Sequence, residues 1–183
     1  MEQKTDSYLF ALLKEGDKNA LSKLYLKYFD FLMHYGVRIV PDRFIVEECV
    51  QELFIYILEA SDRLGNIKNV KAYLFSSLRR RILEKIKKNR KIQSFEVEIS
   101  NRTDIQFTPN EIVILESEQN FNMKIISALN SLPWRQREAI YLRYYNGLST
   151  KEIAEIMGAA NQTILNTLYQ ALKKMRSGIN PIK

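Results

Sequence analysis

Leu148–Arg176, reading LSTKEIAEIMGAANQTILNTLYQALKKMR, is the stretch that decides the fold. Ser149-Thr150-Lys151-Glu152 has the form of a capping box, in which a serine hydroxyl and a glutamate carboxylate satisfy the backbone donors opening a helix. Ile153, Ala154 and Met157 then share one face of a short helix, with Ala154 small where a second helix must cross closely. Gly158 suits the positive φ of a sharp turn. Beyond it, Ile164, Leu168, Ala171, Leu172 and Met175 recur at helical spacing and form the inner face of a longer helix. A short helix, a glycine turn and a long amphipathic helix predict a helix-turn-helix, whose second helix can enter the DNA major groove. An ordinary helical hairpin with a polar outer face is the alternative, and the ordered pattern favours DNA.

The outward face of the second helix carries Gln162, Leu165, Asn166, Tyr169, Gln170 and Lys173. Gln and Asn can pair with adenine edges, and Leu or Tyr can touch a thymine methyl. No arginine stands there to grip guanine. With Thr163, Lys151 and Arg137, these are the expected DNA contacts of the C-terminal half.

Working outward, nearly every periodic segment reads as helix. Thr5–Glu15 stops at Gly16, and Asp17 caps a helix carrying Leu21, Leu24, Tyr25, Tyr28 and Leu32. After Pro41, Asp42 opens a third helix whose wide apolar face holds Val46, Cys49, Val50, Leu53, Phe54, Ile57 and Leu58. Gly65-Asn66 marks a turn, and Val70–Arg90 repeats Leu74, Leu78, Ile82 and Ile86 every four residues. From Lys91 to Asn110 periodicity fails; a short strand over Ser94–Ile99 is conceivable, and a linker is the better reading. Helical spacing resumes at Ile112 and runs to Pro133, followed by Trp134–Tyr145, Thr150–Met157 and Gln162–Arg176. The expected architecture is all-α: a domain over 5–92, an acidic linker over 93–112, and a helix-turn-helix domain over 113–178.

Charge follows the same division. Residues 1–92 carry 18 basic and 12 acidic side chains, 93–120 carry one and six, and 121–183 carry nine and three. Two cationic blocks flank an anionic connector, and the total of +7 points to a polyanionic partner. The single cysteine, Cys49, excludes an internal disulfide and a multi-cysteine metal site. No cofactor and no metal is expected. The start of the chain lacks a signal-peptide core and no apolar run is long enough to span a bilayer, so a soluble, cytoplasmic protein is expected.

Two further features carry chemistry. Between Arg79 and Lys91, eight of thirteen residues are basic, against the single acid Glu84. Phosphates are the natural partner, although a charge run is commonly a solvated face. Tyr73 and Phe75 just upstream suit stacking on unpaired bases or, individually, core packing. On the third helix, Glu48, Gln51, Glu52, Ile55 and Glu59 lie in line opposite the apolar face, and an isoleucine among carboxylates resembles a docking surface. A catalytic or metal carboxylate pair is disfavoured, because no second helix supplies Glu-x-x-His and the one histidine, His34, is expected to be structural.

In this order the pieces resemble the extracytoplasmic-function group of bacterial sigma factors over about residues 8–177. The resemblance is carried by Gly16–Leu21 with Tyr25 and Tyr28, by Val46-Glu47-Glu48-Cys49-Val50-Gln51-Glu52-Leu53-Phe54, and by Asn69–Phe75 with the basic helix. Leu132–Glu138, Leu142-Arg143-Tyr144, Gly147-Leu148-Ser149 and Lys151–Gly158 complete it. The resemblance implies promoter-specific transcription initiation without enzymatic activity. It implies docking on the clamp and flap regions of core RNA polymerase, with Glu48, Val50, Gln51, Glu52, Phe54 and Ile55 meeting the clamp. Lys71, Tyr73, Arg79, Arg80, Glu84, Lys87 and Lys88 would meet promoter DNA opened at the minus-ten element, and the helix-turn-helix would bind the minus-thirty-five element. The anionic connector would then mimic nucleic acid inside the polymerase, and an anti-sigma regulator is a further partner common in the group. Arg80 stands where the family often has Asn, and Ala159-Ala160-Asn161 departs from its usual cap, so Asn161 is expected to cap the recognition helix. The competing reading within DNA binding is a helix-turn-helix regulator with an N-terminal protein-interaction or sensor domain; a carboxylate enzyme and a helical adaptor are the others.

Overall fold

A computed structural model describes residues 2–65, 67–89 and 119–179, and the regular structure among them is helical throughout. The expected linker, the conceivable strand at Ser94–Ile99, the start of helix at Ile112 and Asn66 of the turn lie outside the described residues. The chain divides into two compact units, one centred on the helices up to Asn89 and one on those from Gln119 onward.

The first unit contains α1 (Glu2–Lys14), α2 (Lys18–Ile39), α3 (Arg43–Glu59) and α4 (Val70–Asn89). Their starts are set locally. The Asp17 carboxylate accepts from the Asn19 amide at 2.9 Å, and Asp42 accepts from Phe44 and Ile45 at 3.0 and 3.2 Å. Asn69 accepts from the Ala72 amide at 2.9 Å at the start of α4. Each such cap contributes about 1 kcal/mol by satisfying donors that the helix itself leaves unpaired. Gly16, at φ 97°, lets the chain reverse between α1 and α2.

α2 packs against the other three helices, and α4 also meets α1 and α3. The core holds Leu13, Leu24, Leu32, Tyr35, Leu53, Ile57, Leu74, Phe75, Leu78 and Ile82, all essentially inaccessible. Tyr35 and Phe75 lie 5.1 Å apart between ring centres. Gly36 makes the closest approach possible: a Cβ there would lie 2.3 Å from Val46 Cγ1 and 3.2 Å from Ile82 Cδ1. One polar link is buried as well. Tyr28 donates its hydroxyl to Asp6 at 2.5 Å and Lys27 pairs with the same carboxylate at 2.6 Å, tying α1 to α2.

The second unit contains α5 (Gln119–Asn130), α6 (Trp134–Ile140), α7 (Thr150–Met157) and α8 (Asn161–Ile179), with α8 packed on α5 and α6. Trp134–Tyr145, expected as one helix, is α-helical only to Ile140 and continues as a widened π turn over Tyr141–Tyr145. The physical reason is at its end. The Asn146 amide reaches back five residues to the Tyr141 carbonyl at 3.2 Å, and Gly147 then turns the chain at φ 64°. Tyr141 and Tyr145 stack at 5.2 Å across the widened turn.

Candidate nucleic-acid interface

The capping box at the head of α7 is formed as expected. The Ser149 amide donates to Glu152 Oε2 at 2.5 Å and the Glu152 amide donates to Ser149 Oγ at 3.3 Å. Gly158 has φ 62°, and the Ala159 amide closes the end of α7 on the Ala154 carbonyl at 2.9 Å. α8 begins directly after, with the Ala160 carbonyl accepting from the Ile164 amide at 3.2 Å. Asn161 is therefore inside the first turn and does not cap it, because Ala160 holds the cap position.

Ile164, Leu168 and Ala171 are buried on the inner side of α8, whereas Leu172, expected among them, is 44% exposed. Leu172 directly follows Ala171 and so lies just past the edge of the apolar stripe. Gln162, Thr163, Leu165, Asn166, Tyr169, Gln170 and Lys173 are all exposed, as is Lys151 on α7. Gln162 Nε2 donates to Asn166 Oδ1 at 3.2 Å. Arg137 is a correction to the expected DNA set. It is buried at 7% exposure and donates from Nη1 to the Asn130 carbonyl at 3.3 Å, so it ties α6 to the end of α5.

On the first unit, Arg80, Glu84, Lys87 and Lys88 stand exposed on α4, while Lys71, Tyr73 and Arg79 are half-buried. Lys71 lies over the Phe31 ring at 5.7 Å. Tyr73 meets Phe10 edge-on at 6.3 Å, and burial raises the pKa of its phenol despite a hydrogen bond from Ser77. Phe75 is fully buried, so base stacking is closed to it.

Two basic residues of the same run have a different fate, which sequence reading missed. Lys85 pairs with both Glu48 and Glu52 of α3, and Arg81 reaches Glu52 at 4.0 Å while lying over the Tyr56 ring at 5.1 Å. Burial pulls the Lys85 pKa down, but the two carboxylates outweigh it and leave it raised. The signal was present as complementary four-residue spacing, Glu48/Glu52 against Arg81/Lys85, and becomes legible once α3 and α4 are known to be neighbours.

The α3 ridge is divided in the same way. Gln51 and Ile55 are exposed, Ile55 at 55%, and so are Glu48, Glu52 and Glu59. Val50 and Phe54, expected to meet the polymerase, are buried at 0% and 5%. They sit on the inward side of the helix period and brace the ridge from behind, Phe54 edge-on against Tyr25 at 5.0 Å. Beside the ridge runs a groove of about 550 Å³ between α2 and α3, lined by Leu21, Tyr25, Leu26, Gln51, Phe54, Ile55 and Leu58. Leu26 is 77% exposed at its edge, a residue that the sequence reading did not single out. His34, expected to be structural, is exposed on α2. Cys49 is buried, and burial raises its thiol pKa to about 11.

A cross-tied helical unit with an exposed apolar ridge is thus followed in the chain by a second unit that presents the outer helix of a helix-turn-helix. Residues 24–92 match sigma-70 region 2, and residues 122–175 match sigma-70 region 4. The chain belongs to the sigma-70 family of RNA polymerase sigma factors. It is 29% identical to the RNA polymerase sigma factor SigV of Bacillus subtilis over 70% of this chain and 72% of that one. It is 27% identical to the ECF sigma factor SigL of Mycobacterium tuberculosis over 84% and 85%. Its fold resembles CnrH, solved with the cytosolic domain of CnrY, at TM-score 0.63 and 17% identity, covering 98% and 99%. RpoE, solved with the anti-sigma factor NepR from Bartonella quintana, gives TM-score 0.58 at 23% identity, covering 88% and 98%. The region 2 match occupies the place that the competing reading gave to a sensor domain, and overturns it. Among the described residues no helix is long and apolar enough to cross a membrane.

Proposed function

We propose that this sigma factor acts by binding alone, without catalysis, and divides its work among three faces. The exposed part of the α3 ridge, Gln51 and Ile55 with Leu26 and Leu58 along the groove, docks on the clamp of core RNA polymerase. Glu48 and Glu52 flank that contact while tied to α4, and Val50 and Phe54 hold its shape. Lys71, Tyr73, Arg79, Arg80, Lys87 and Lys88, with Glu84 among them, meet the opened minus-ten element. Lys151 and the outer face of α8 bind the minus-thirty-five element. In the proposed division, 5–92 and 113–178 are the working domains and 93–112 is the anionic strap between them, the second domain also meeting the flap. The site of action is then the cytoplasm, where polymerase and promoter lie. An anti-sigma protein is a natural regulator, since both solved neighbours are recorded with a partner of that kind or a cytosolic domain.

The observation that carries this reading is that Leu148–Arg176 folds as a helix-turn-helix with its amide-bearing face open to solvent. The test is co-purification with core RNA polymerase. Ile55→Asp with Gln51→Ala should abolish retention of core enzyme while circular dichroism and melting stay unchanged, because neither side chain supports the core. Undiminished retention would refute the docking assignment.

A further inference from the structure

The recognition helix is charge-free where a DNA-reading helix usually is not. From Asn161 to Leu172 there is no Asp, Glu, Lys or Arg, a span of about 18 Å along the axis. The major groove is about 12 Å wide, so this stretch covers its floor. Lys173 comes next on the exposed face, and Lys151 stands exposed at the head of α7. Lys174 is turned away, donating to the Ser131 carbonyl at 2.9 Å. Along the chain the charges thus bracket the stretch and leave its middle neutral.

That middle is not featureless. Gln162 and Asn166 are one turn apart, and the bond from Gln162 Nε2 to Asn166 Oδ1 locks the two amides together. The bond leaves the Gln162 carbonyl and the Asn166 amino group to work side by side as one acceptor and one donor. Reversing both amides exchanges which residue supplies which, and the outward pattern persists. An acceptor beside a donor complements the N6 amino group and N7 of adenine, whereas against guanine the carbonyl would face the O6 carbonyl. Next to the pair, Leu165, Tyr169 and Leu172 stand 42%, 63% and 44% exposed at four- and three-residue steps. An apolar row of this kind on the outer face of a helix is costly in water and suits thymine methyl groups.

We propose that α8 reads an upstream element made of A·T pairs, with the Gln162–Asn166 amide pair as its adenine reader, Leu165 and Tyr169 as its thymine-methyl readers, and no guanine contact. This rests on the reading of α8 as the promoter-binding helix and names what that helix selects. Lys151 and Lys173 supply sequence-independent attraction at its flanks.

The experiment is selection of duplexes with a randomised upstream segment by the full-length chain assembled with core RNA polymerase, followed by binding measurements on the selected duplex. The wild-type holoenzyme should enrich consecutive A·T pairs at the positions under α8. Gln162→Ala with Asn166→Ala should flatten that preference while leaving core retention and the downstream selection intact. On the selected duplex, 7-deazaadenine, which lacks N7, should weaken wild-type binding about tenfold and leave the double variant unaffected. Uracil in place of thymine should weaken wild type and not Leu165→Ala with Tyr169→Ala. Enrichment of a G·C-containing element by wild type, or A·T preference surviving in both double variants, overturns the proposal and leaves the sigma reading standing. Absence of any upstream enrichment overturns it too; if core enzyme is also not retained, the wider reading falls with it.

Discussion

The two helices proposed to face DNA differ sharply in charge. α4 is crowded with cations, and the fold handles the crowding by pairing part of it: Arg81 and Lys85 turn inward to Glu52 and Glu48, while Arg80, Lys87 and Lys88 remain outside. α8 carries no charge from Asn161 to Leu172, and an amide pair with a row of apolar side chains occupies that stretch. Charge attracts any phosphate backbone, whereas amides and methyl contacts distinguish base pairs. On the proposed reading, affinity and selectivity are placed in different units. A neutral recognition helix is then expected to depend on the polymerase and the other unit to hold it near its site, by the logic of linked weak contacts.

The comparison can be broken first at the packing that supports α4. Gly36→Ala forces a methyl group onto Val46 and Ile82, and the first unit should lose about 2 kcal/mol in urea unfolding, with the second unit unaffected. An unchanged midpoint would mean that α3 and α4 are not held against α2 at the described distance. Next, replacing Arg80, Lys87 and Lys88 together by Gln should flatten the salt dependence of promoter binding by about two to three units of log–log slope. Gln162→Ala with Asn166→Ala should leave that slope alone. If both variants change the slope equally, affinity and selectivity are not separated.

Smaller effects sharpen the contrast. Ser149→Ala removes one arm of the capping box and should destabilise the second unit by about 1 kcal/mol, seen as a lower Tm of that unit. Lys85→Gln removes an exposed two-carboxylate tie, and the loss should stay below about 1 kcal/mol and shrink further in high salt. At neutral pH Cys49 contributes no pH dependence. Its thiol pKa is raised from 9.0 to about 11 in the folded chain, so the unfolded chain releases its proton first. Stability of the first unit should fall as pH rises from 9 toward 11, and Cys49→Ala should lessen that fall in a pH series of urea titrations.

Much of the architecture was legible before any coordinates. Asp17, Asp42 and the Ser149–Glu152 box mark helix starts through bonds spanning two or three residues, and Gly158 marks a turn through its own backbone freedom. The outward list for α8 also held, since a helix of fixed period with a strong apolar stripe leaves little choice about its other side. Arg137 and Val50 were misread for the opposite reason. A motif names positions along the chain, but only packing decides which of them face inward, and these two lie within the unit cores.

What the sequence by itself determined is thus everything that neighbours along the chain can settle: helical character, caps, turns, the division of charge and the order of family motifs. The tertiary structure alone decided which charges cancel one another, that Gly36 lets α3 and α4 close up, and that Leu26 edges a groove beside Ile55. Those outcomes join residues far apart in the chain, such as Glu48 with Lys85 and Gly36 with Ile82. Their geometry exists only after apolar burial has brought the helices together, so no short window of sequence can contain it.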